Sequence, residues 1–391
     1  MADYGQFGYK EAKLFDKYHQ LHPNITVKEQ TTANEEDYYP KLLQQLNSNS
    51  GLADVQGIEV GRIKEVVDTQ ASKFADLSKT IDVNDWVSWK EKQATAKDGT
   101  VIGAGTDIGP MSLCYRRDLF EKAGLPTDRE AVAKAVAGGW EDYIKLGEQY
   151  KKKAPAGTYF MDSASAMFNA IVSSNAQQYY DADGKPVYKD SPSVKQGWNL
   201  AAEVAQKKLS QGVHQFDEPW RADLRKGTMA TVVCPAWMAA QIQTYSGDSF
   251  KGKWDITRAP GTTAANWGRL LPGRAQERQA REGGPGAGQV ADRARAAGRR
   301  LQAIGVFPSN KGAYELASVK NAKLPYFNNA PIGQIYSDEA KSIPPEAVLG
   351  PKDGIIKDTI GKQINNMEQR GGTKPDDAWK AATDTIDKAI G

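Results

Sequence analysis

Two cysteines and three histidines are all that this 391-residue chain offers as thiol or imidazole metal ligands. Only His19 and His22 stand close together, and no further ligand of this kind lies near them in sequence, so no metal site is expected. No stretch approaches the roughly 20 consecutive apolar residues that a membrane-spanning helix requires. The formal net charge of +3 is too small to point to a nucleic-acid partner. Nothing has the spacing of a nucleophile elbow or a phosphate-binding loop. What remains is an ordinary soluble composition, 40% hydrophobic and 25% charged, in a chain too long for one compact core. Two or three domains are expected.

The aromatic content is more specific: nine Trp and sixteen Tyr stand against ten Phe. Both favoured rings join a flat apolar face to a polar edge, which suits ligands that are themselves amphipathic plates. Pyranose rings are such plates. Many of these side chains will nevertheless fill cores, as Trp86 and Trp89 are expected to do.

Along the chain, helical spacing over 8–22 ends at His22-Pro23, followed by a strand at 24–29, a helix at 37–47, a strand at 54–59 and a helix at 60–69. Strands alternating with helices predict open parallel sheets covered on both sides. The pattern restarts after Gly103–Pro110 with a strand at 111–115, a helix at 118–123 and longer helices at 140–152 and 193–209. Ala378, Ala382, Ile386 and Ile390 recur every four residues in an amphipathic helix over 375–390. Cys114 and Cys234 each lie in β-like apolar runs that adjacent strands could bring together. Sequence alone does not separate a disulfide from two free thiols.

Two features break the pattern. Met1-Ala2-Asp3-Tyr4 stands directly before a Gly-rich turn, with neither the strand that opens a parallel α/β lobe nor a secretory signal ahead of it. The expectation is a trimmed chain or an upstream start, with Met1 written for a GTG valine codon. The second feature is the window 269–301, which holds eight of the sixteen Arg, none of the 35 Lys, and no aromatic, Ser, Thr or Asn. One reading is a basic linker or nucleic-acid arm. The other is a shifted reading frame in GC-rich DNA. GC-biased codons for R-L-L-P-G-R-A-Q-E-R-Q permit G-S-F-L-A-V-P-K-S-G-K one base over, and V-A-D-R-A-R-A-A-G-R-R-L permits K-W-L-T-A-P-E-Q-Q-G-D-A-F. These are a buried strand and an amphipathic helix, so compensating frameshifts near 269 and 301 are expected, and the excess positive charge is partly their product.

Several segments together resemble the extracellular solute-binding proteins of ATP-driven sugar importers, the group that includes maltose-binding protein. They are 114–126 (C-Y-R-R-D-L-F-E-K-A-G-L-P), 227–237 (G-T-M-A-T-V-V-C-P-A-W), 50–55 (S-G-L-A-D-V), the helix around Asp377-Ala378-Trp379 and the frame-shifted K-W-L-T-A-P-E-Q-Q. Segments 6–12, 105–110, 157–163 and 266–268 are most similar to the actinobacterial cello-oligosaccharide-binding lipoproteins. The resemblance implies a two-lobed α/β fold of the periplasmic-binding-protein kind, with the ligand in a cleft between lobes. The first lobe would comprise 1–109 plus about 260–315 and the second 110–259 plus about 316–370. The C-terminal helix, 371–391, would pack on the first lobe or the hinge.

The implied function is capture of cellobiose or cellotriose by lobe closure and delivery to membrane permease subunits. No catalysis and no cofactor are expected, and the protein would be a monomer. It would stand outside the cell, lipid-anchored in its full-length precursor, where a Cys114–Cys234 bond within the second lobe is consistent with the compartment. Xylo- and chito-oligosaccharides are alternative ligands. A secreted glycoside hydrolase is the rival class, since carboxylates are plentiful enough for a catalytic pair.

Ligands of open sheets bind beyond the carboxyl ends of strands. Loops there carry the candidate stacking rings Trp237, Trp220 and Trp267, with Phe7 or Tyr38 from the first lobe. Asp107, Glu59 and Asp162 are the candidate acceptors of sugar hydroxyls, because a carboxylate accepts strong charge-assisted bonds. Two carry competing structural roles: Asp162 as the cap of the following helix, and Glu59 as a partner of Arg62.

Overall fold

The computed structural model describes residues 1–78, 83–261, 264–268, 294–345, 347–369 and 371–390. The chain divides into two compact units, Met1–Gly109 with Gly268–Ala322, and Pro110–Trp267 with Lys323–Gly391. The described strands are β1 (Ala2–Tyr4), β2 (Gln30–Thr32), β3 (Asp107–Ile108), β4 (Met111–Arg116), β5 (Tyr159–Met161), β6 (Met229–Pro235), β7 (Trp254–Arg258) and β8 (Phe307–Pro308).

In the first unit, β1 pairs in parallel with β2 from Ala2↔Gln30 to Tyr4↔Thr32, and Ala2 also bridges Gln56 in parallel. The opening strand expected to be missing is therefore present, formed by the residues read as a leader to the turn. The strand expected at 24–29 lies slightly later, at Gln30–Thr32. Helix Glu35–Ser48 starts where Asn34 accepts the Asp37 amide at 2.8 Å, with Glu35, Glu36 and Asp37 at the positive end of its dipole. It ends at Asn49, whose left-handed φ of 49° closes the last turn. Elsewhere in this unit β3 pairs antiparallel with β8.

The second unit is built on a four-stranded sheet ordered β5-β6-β4-β7. The strand–helix rhythm predicts a parallel sheet, but β4 runs antiparallel to both β6 and β7, and only β5–β6 is parallel. Strand direction is set by which strands pair, and β4 and β6 are 113 residues apart at their closest ends, beyond the reach of local periodicity. Every residue of β4 and β6 is buried, which explains their continuous apolar runs. Between these strands the Cys114–Cys234 disulfide is formed, with Cα atoms 5.5 Å apart.

Helices Ala164–Ser173, Pro192–Lys207, Asp353–Glu368 and Pro375–Ile390 supply the apolar layer of this unit. The last was expected on the first lobe or a hinge. Its stripe Ala378, Ala382 and Ile386 instead joins the second unit's core, and Trp379 meets Trp198 at 4.9 Å. A four-residue repeat fixes which face is apolar but not which partner covers it.

Close packing makes one glycine testable. A methyl group added at Gly350 would overlap the buried Tyr180 ring. Gly350→Ala is expected to destabilise the protein by about 3 kcal/mol, since the ring has nowhere to retreat without displacing the core. Urea unfolding checks this, and a midpoint equal to that of the parent chain would refute it.

The Arg-rich window falls mostly outside the described residues, which resume at 294. The part within them forms helix Ala294–Ile304 in the frame as written, with Ala297, Arg300 and Leu301 buried.

Candidate functional site

The eight candidate residues fall into two groups, one in each unit. In the first, Phe7, Tyr38, Glu59 and Asp107 are all less than a tenth exposed. Tyr4 links the two rings, 5.5 Å from Phe7 and 5.5 Å from Tyr38. The Tyr38 hydroxyl donates to the Ala2 carbonyl and to Gln56 Oε1, both at 3.1 Å, and burial pushes its pKa far up. Tyr38 thus fastens its helix to β1.

Glu59 has a structural role of its own. Its carboxylate accepts the Gly61 amide at 2.6 Å and caps helix Val60–Gln70, while Arg62 binds Glu35 at 3.0 Å. Asp107 Oδ1 accepts from Thr106 Oγ1 at 2.8 Å and from Arg300 Nη2 at 3.3 Å. Its Oδ2 is buried without a hydrogen-bond partner among the described residues. Sequence reasoning placed Arg300 in a doubtful window and so overlooked it.

The second group is built around rings. Trp237 and Trp267 meet edge to face at 5.5 Å, and the Trp237 indole N–H donates to the Trp267 carbonyl at 2.9 Å. Phe216 lies 6.0 Å from Trp237, 6.4 Å from Trp267 and 5.3 Å from Trp220. Phe216 has a φ of 67°, a left-handed conformation that is strained for an aromatic residue. Trp220 was expected to stack on ligand. It is fully buried, between Phe216 and Tyr245, so it serves as the floor of the cluster.

Asp162 holds that floor. Its Oδ2 accepts Gln215 Nε2 at 2.5 Å and Trp220 Nε1 at 3.2 Å, which fixes both ends of the segment carrying Phe216. The helix cap is its neighbour Ser163, whose hydroxyl accepts the Ser165 amide. Burial raises the Asp162 pKa to about 6 despite those two hydrogen bonds. Glu368 underlies the same segment, accepting the Ala164 amide at 2.9 Å and Ser210 Oγ at 2.5 Å. Burial, reinforced by the Asp162 charge, raises its pKa to about 7. Phe216 lies four residues before the candidate ring Trp220, whereas Glu368, 206 residues after Asp162, carried no local signal.

Among the described residues no group of three or more His, Cys, Asp and Glu could hold a metal ion. No described helix is long and apolar enough to cross a membrane. Within each unit, rings stand with buried carboxylates that accept hydrogen bonds.

The sequence profile of the bacterial extracellular solute-binding proteins matches residues 13–283, more than half of the chain. The chain belongs to that family. A solved extracellular solute-binding protein of family 1 superposes with a TM-score of 0.83 at 31% identity, covering 100% of this chain and 98% of the other. A binding protein associated with an ABC transporter of B. animalis subsp. lactis Bl-04, in complex with β-1,6-galactobiose, reaches the same TM-score of 0.83 at 16% identity. It covers 100% of this chain and 96% of its own, and shows the fold. The α/β fold is that of the two-lobed binding proteins. An arabinooligosaccharide-binding protein of Bacillus subtilis (strain 168) is 25% identical over 249 residues, 62% of this chain and 51% of that one. The chain thus spans about half the length of the curated relatives it matches. The family is one of extracellular solute-binding proteins, and the ligands named for these relatives are sugars.

Proposed function

We propose that this protein is the substrate-binding component of an ABC importer that captures a β-linked oligosaccharide, cellobiose or cellotriose, and delivers it to membrane permease subunits. Capture would proceed by closure of the lobes, because a ligand that contacts both shifts the population toward the closed form. The observation that carries this reading is the Trp237, Trp267 and Phe216 cluster, a set of ring faces and edges of pyranose size. Asp107 supplies a buried acceptor for a hydroxyl. The protein would act as a monomer outside the cell, lipid-anchored in its precursor. Xylo- and chito-oligosaccharides present similar ring faces and differ in one substituent. A second reading, an arabino-oligosaccharide, is favoured by the curated relatives.

The test is a tryptophan-fluorescence titration with cellobiose, cellotriose, xylobiose, chitobiose, arabinobiose and maltose, with each mixture then assayed for cleavage. Saturable binding without cleavage supports an importer component, and the sugar bound most tightly selects between the readings. Hydrolysis would favour a glycoside hydrolase instead. Trp237→Ala is expected to weaken binding about 10- to 100-fold, as for loss of a central aromatic contact. A variant that binds like the parent would remove Trp237 from the site.

A further inference from the structure

Arg300 is 1% exposed and presents its guanidinium to three acceptors. Nε donates to the Phe7 carbonyl at 2.9 Å, Nη1 to the Thr106 carbonyl at 2.9 Å, and Nη2 to Asp107 Oδ1 at 3.3 Å. Its flat face lies 4.5 Å from the centre of the Tyr9 ring. These partners belong to two segments about 100 residues apart in sequence, 7–9 and 106–107, and each segment carries a candidate ligand residue. The two segments converge on one side chain of helix Ala294–Ile304.

The approach is made possible by Gly8. Its φ of +79° turns the chain over the helix, and a side chain there would stand 2.7 Å from Ile304 Cδ1. The planar fork of Arg matches diverging acceptors in a way that a single ammonium does not. Asp107 has a guanidinium on one oxygen and nothing on the other among the described residues. A carboxylate paired in this way accepts and does not donate, and a buried acceptor left open calls for a donor.

We propose that Arg300 is a positioning residue of the sugar site, clamping the 7–9 and 106–107 segments together and holding Asp107 with one oxygen open to a ligand hydroxyl. The ligand part of this proposal rests on the sugar-binding reading; the clamp itself does not. Asp107 is the contact, and Arg300 acts through it. The arrangement selects for a ligand with a hydroxyl at that point, because an ether or a carbonyl there would oppose two acceptors.

The full chain, R300Q, R300K and D107N are compared by hydrogen exchange and by fluorescence titration with whichever sugar of the panel the parent binds. R300Q is expected to speed exchange at least about tenfold in both segments while the second unit keeps its protection. D107N should loosen the 106–107 segment, which loses one of its two bonds to Arg300, and leave 7–9 protected, because Arg300 retains the Phe7 carbonyl. Affinity should fall about 10- to 100-fold in R300Q and D107N, as for loss of a charge-assisted hydrogen bond, with partial recovery in R300K.

Exchange within twofold of the parent in both segments of R300Q would overturn the clamp. If R300Q does not fold, D107N decides: unchanged protection at 106–107 overturns it, and selective loosening supports it. Loosened segments with parental affinity would overturn the positioning role. A parent chain that binds no sugar in the panel would refute the proposed function, while the exchange data would still decide the clamp.

Discussion

Replacing Cys114 and Cys234 together by Ala is expected to lower the unfolding free energy by about 3 kcal/mol. The bond closes a loop of 120 residues, and the chain-entropy cost removed from the unfolded state grows with loop length. Loop length alone gives about 4 to 5 kcal/mol, and measured effects of disulfides are commonly smaller. Both half-cystines are fully buried in strands hydrogen-bonded to each other, so dithiothreitol should act slowly on the folded protein and quickly on the unfolded one. Urea unfolding of the parent with and without dithiothreitol, beside the double variant, measures the effect. Coincident curves for all three would show that the bond adds nothing to stability.

A second large effect should appear as pH dependence. Glu368 is raised from 4.5 to about 7 and Asp162 from 3.8 to about 6, both chiefly by burial. A carboxyl whose pKa is higher in the folded state holds a proton that the unfolded chain has released. Between the two pKa values the folded state binds more protons, so stability falls as pH rises. The contribution is fully present below about pH 4 and is lost by about pH 7 to 8. For Glu368 alone the change is about 3 kcal/mol, at 1.36 kcal/mol per unit. Glu29 and Glu339, both raised to about 7, slope the same way, so the informative quantity is a difference between chains.

Glu368→Gln keeps an acceptor for the Ala164 amide and Ser210 but carries no charge. It should be close to the parent in stability at pH 5 and exceed it by about 3 kcal/mol at pH 8. Parallel stability curves from pH 5 to 8 would mean that Glu368 does not titrate in that window. Since the same carboxyls underlie the Phe216 segment, a parent chain near pH 8 should also show faster exchange at 211–217 than Glu368→Gln.

Helices of the protein were readable because their signals are local. The four-residue repeat of Ala378, Ala382 and Ile386 gave the last helix to the residue, Pro375–Ile390. Helix Trp140–Lys153 likewise begins at the expected residue and ends one later. The continuous apolar runs gave β4 and β6, and hence a possible meeting of Cys114 and Cys234. What was not readable depends on partners distant in sequence. Asp162 answers Gln215 and Trp220, Ala164 answers Glu368, and Asp107 answers Arg300. No spacing rule relates such pairs, so Asp162 looked like a helix cap or ligand group rather than a support for rings. Strand direction failed for the same reason, because β4 finds β6 and β7 only after more than a hundred residues of intervening chain.

Neither unit is one continuous stretch, since the boundary is passed after residues 109, 267 and 322. This fixes an order in time during synthesis. All four strands of the second unit's sheet have been made once Arg258 leaves the ribosome. At that moment β3 still has no partner, because β8 comes 49 residues later, at Phe307. The first unit begins the chain but completes its small antiparallel sheet after the second unit has all its strands. A nascent chain whose emerged part ends anywhere between 260 and 300 would carry the whole β5-β6-β4-β7 sheet beside an amino-terminal segment still waiting for its closing piece.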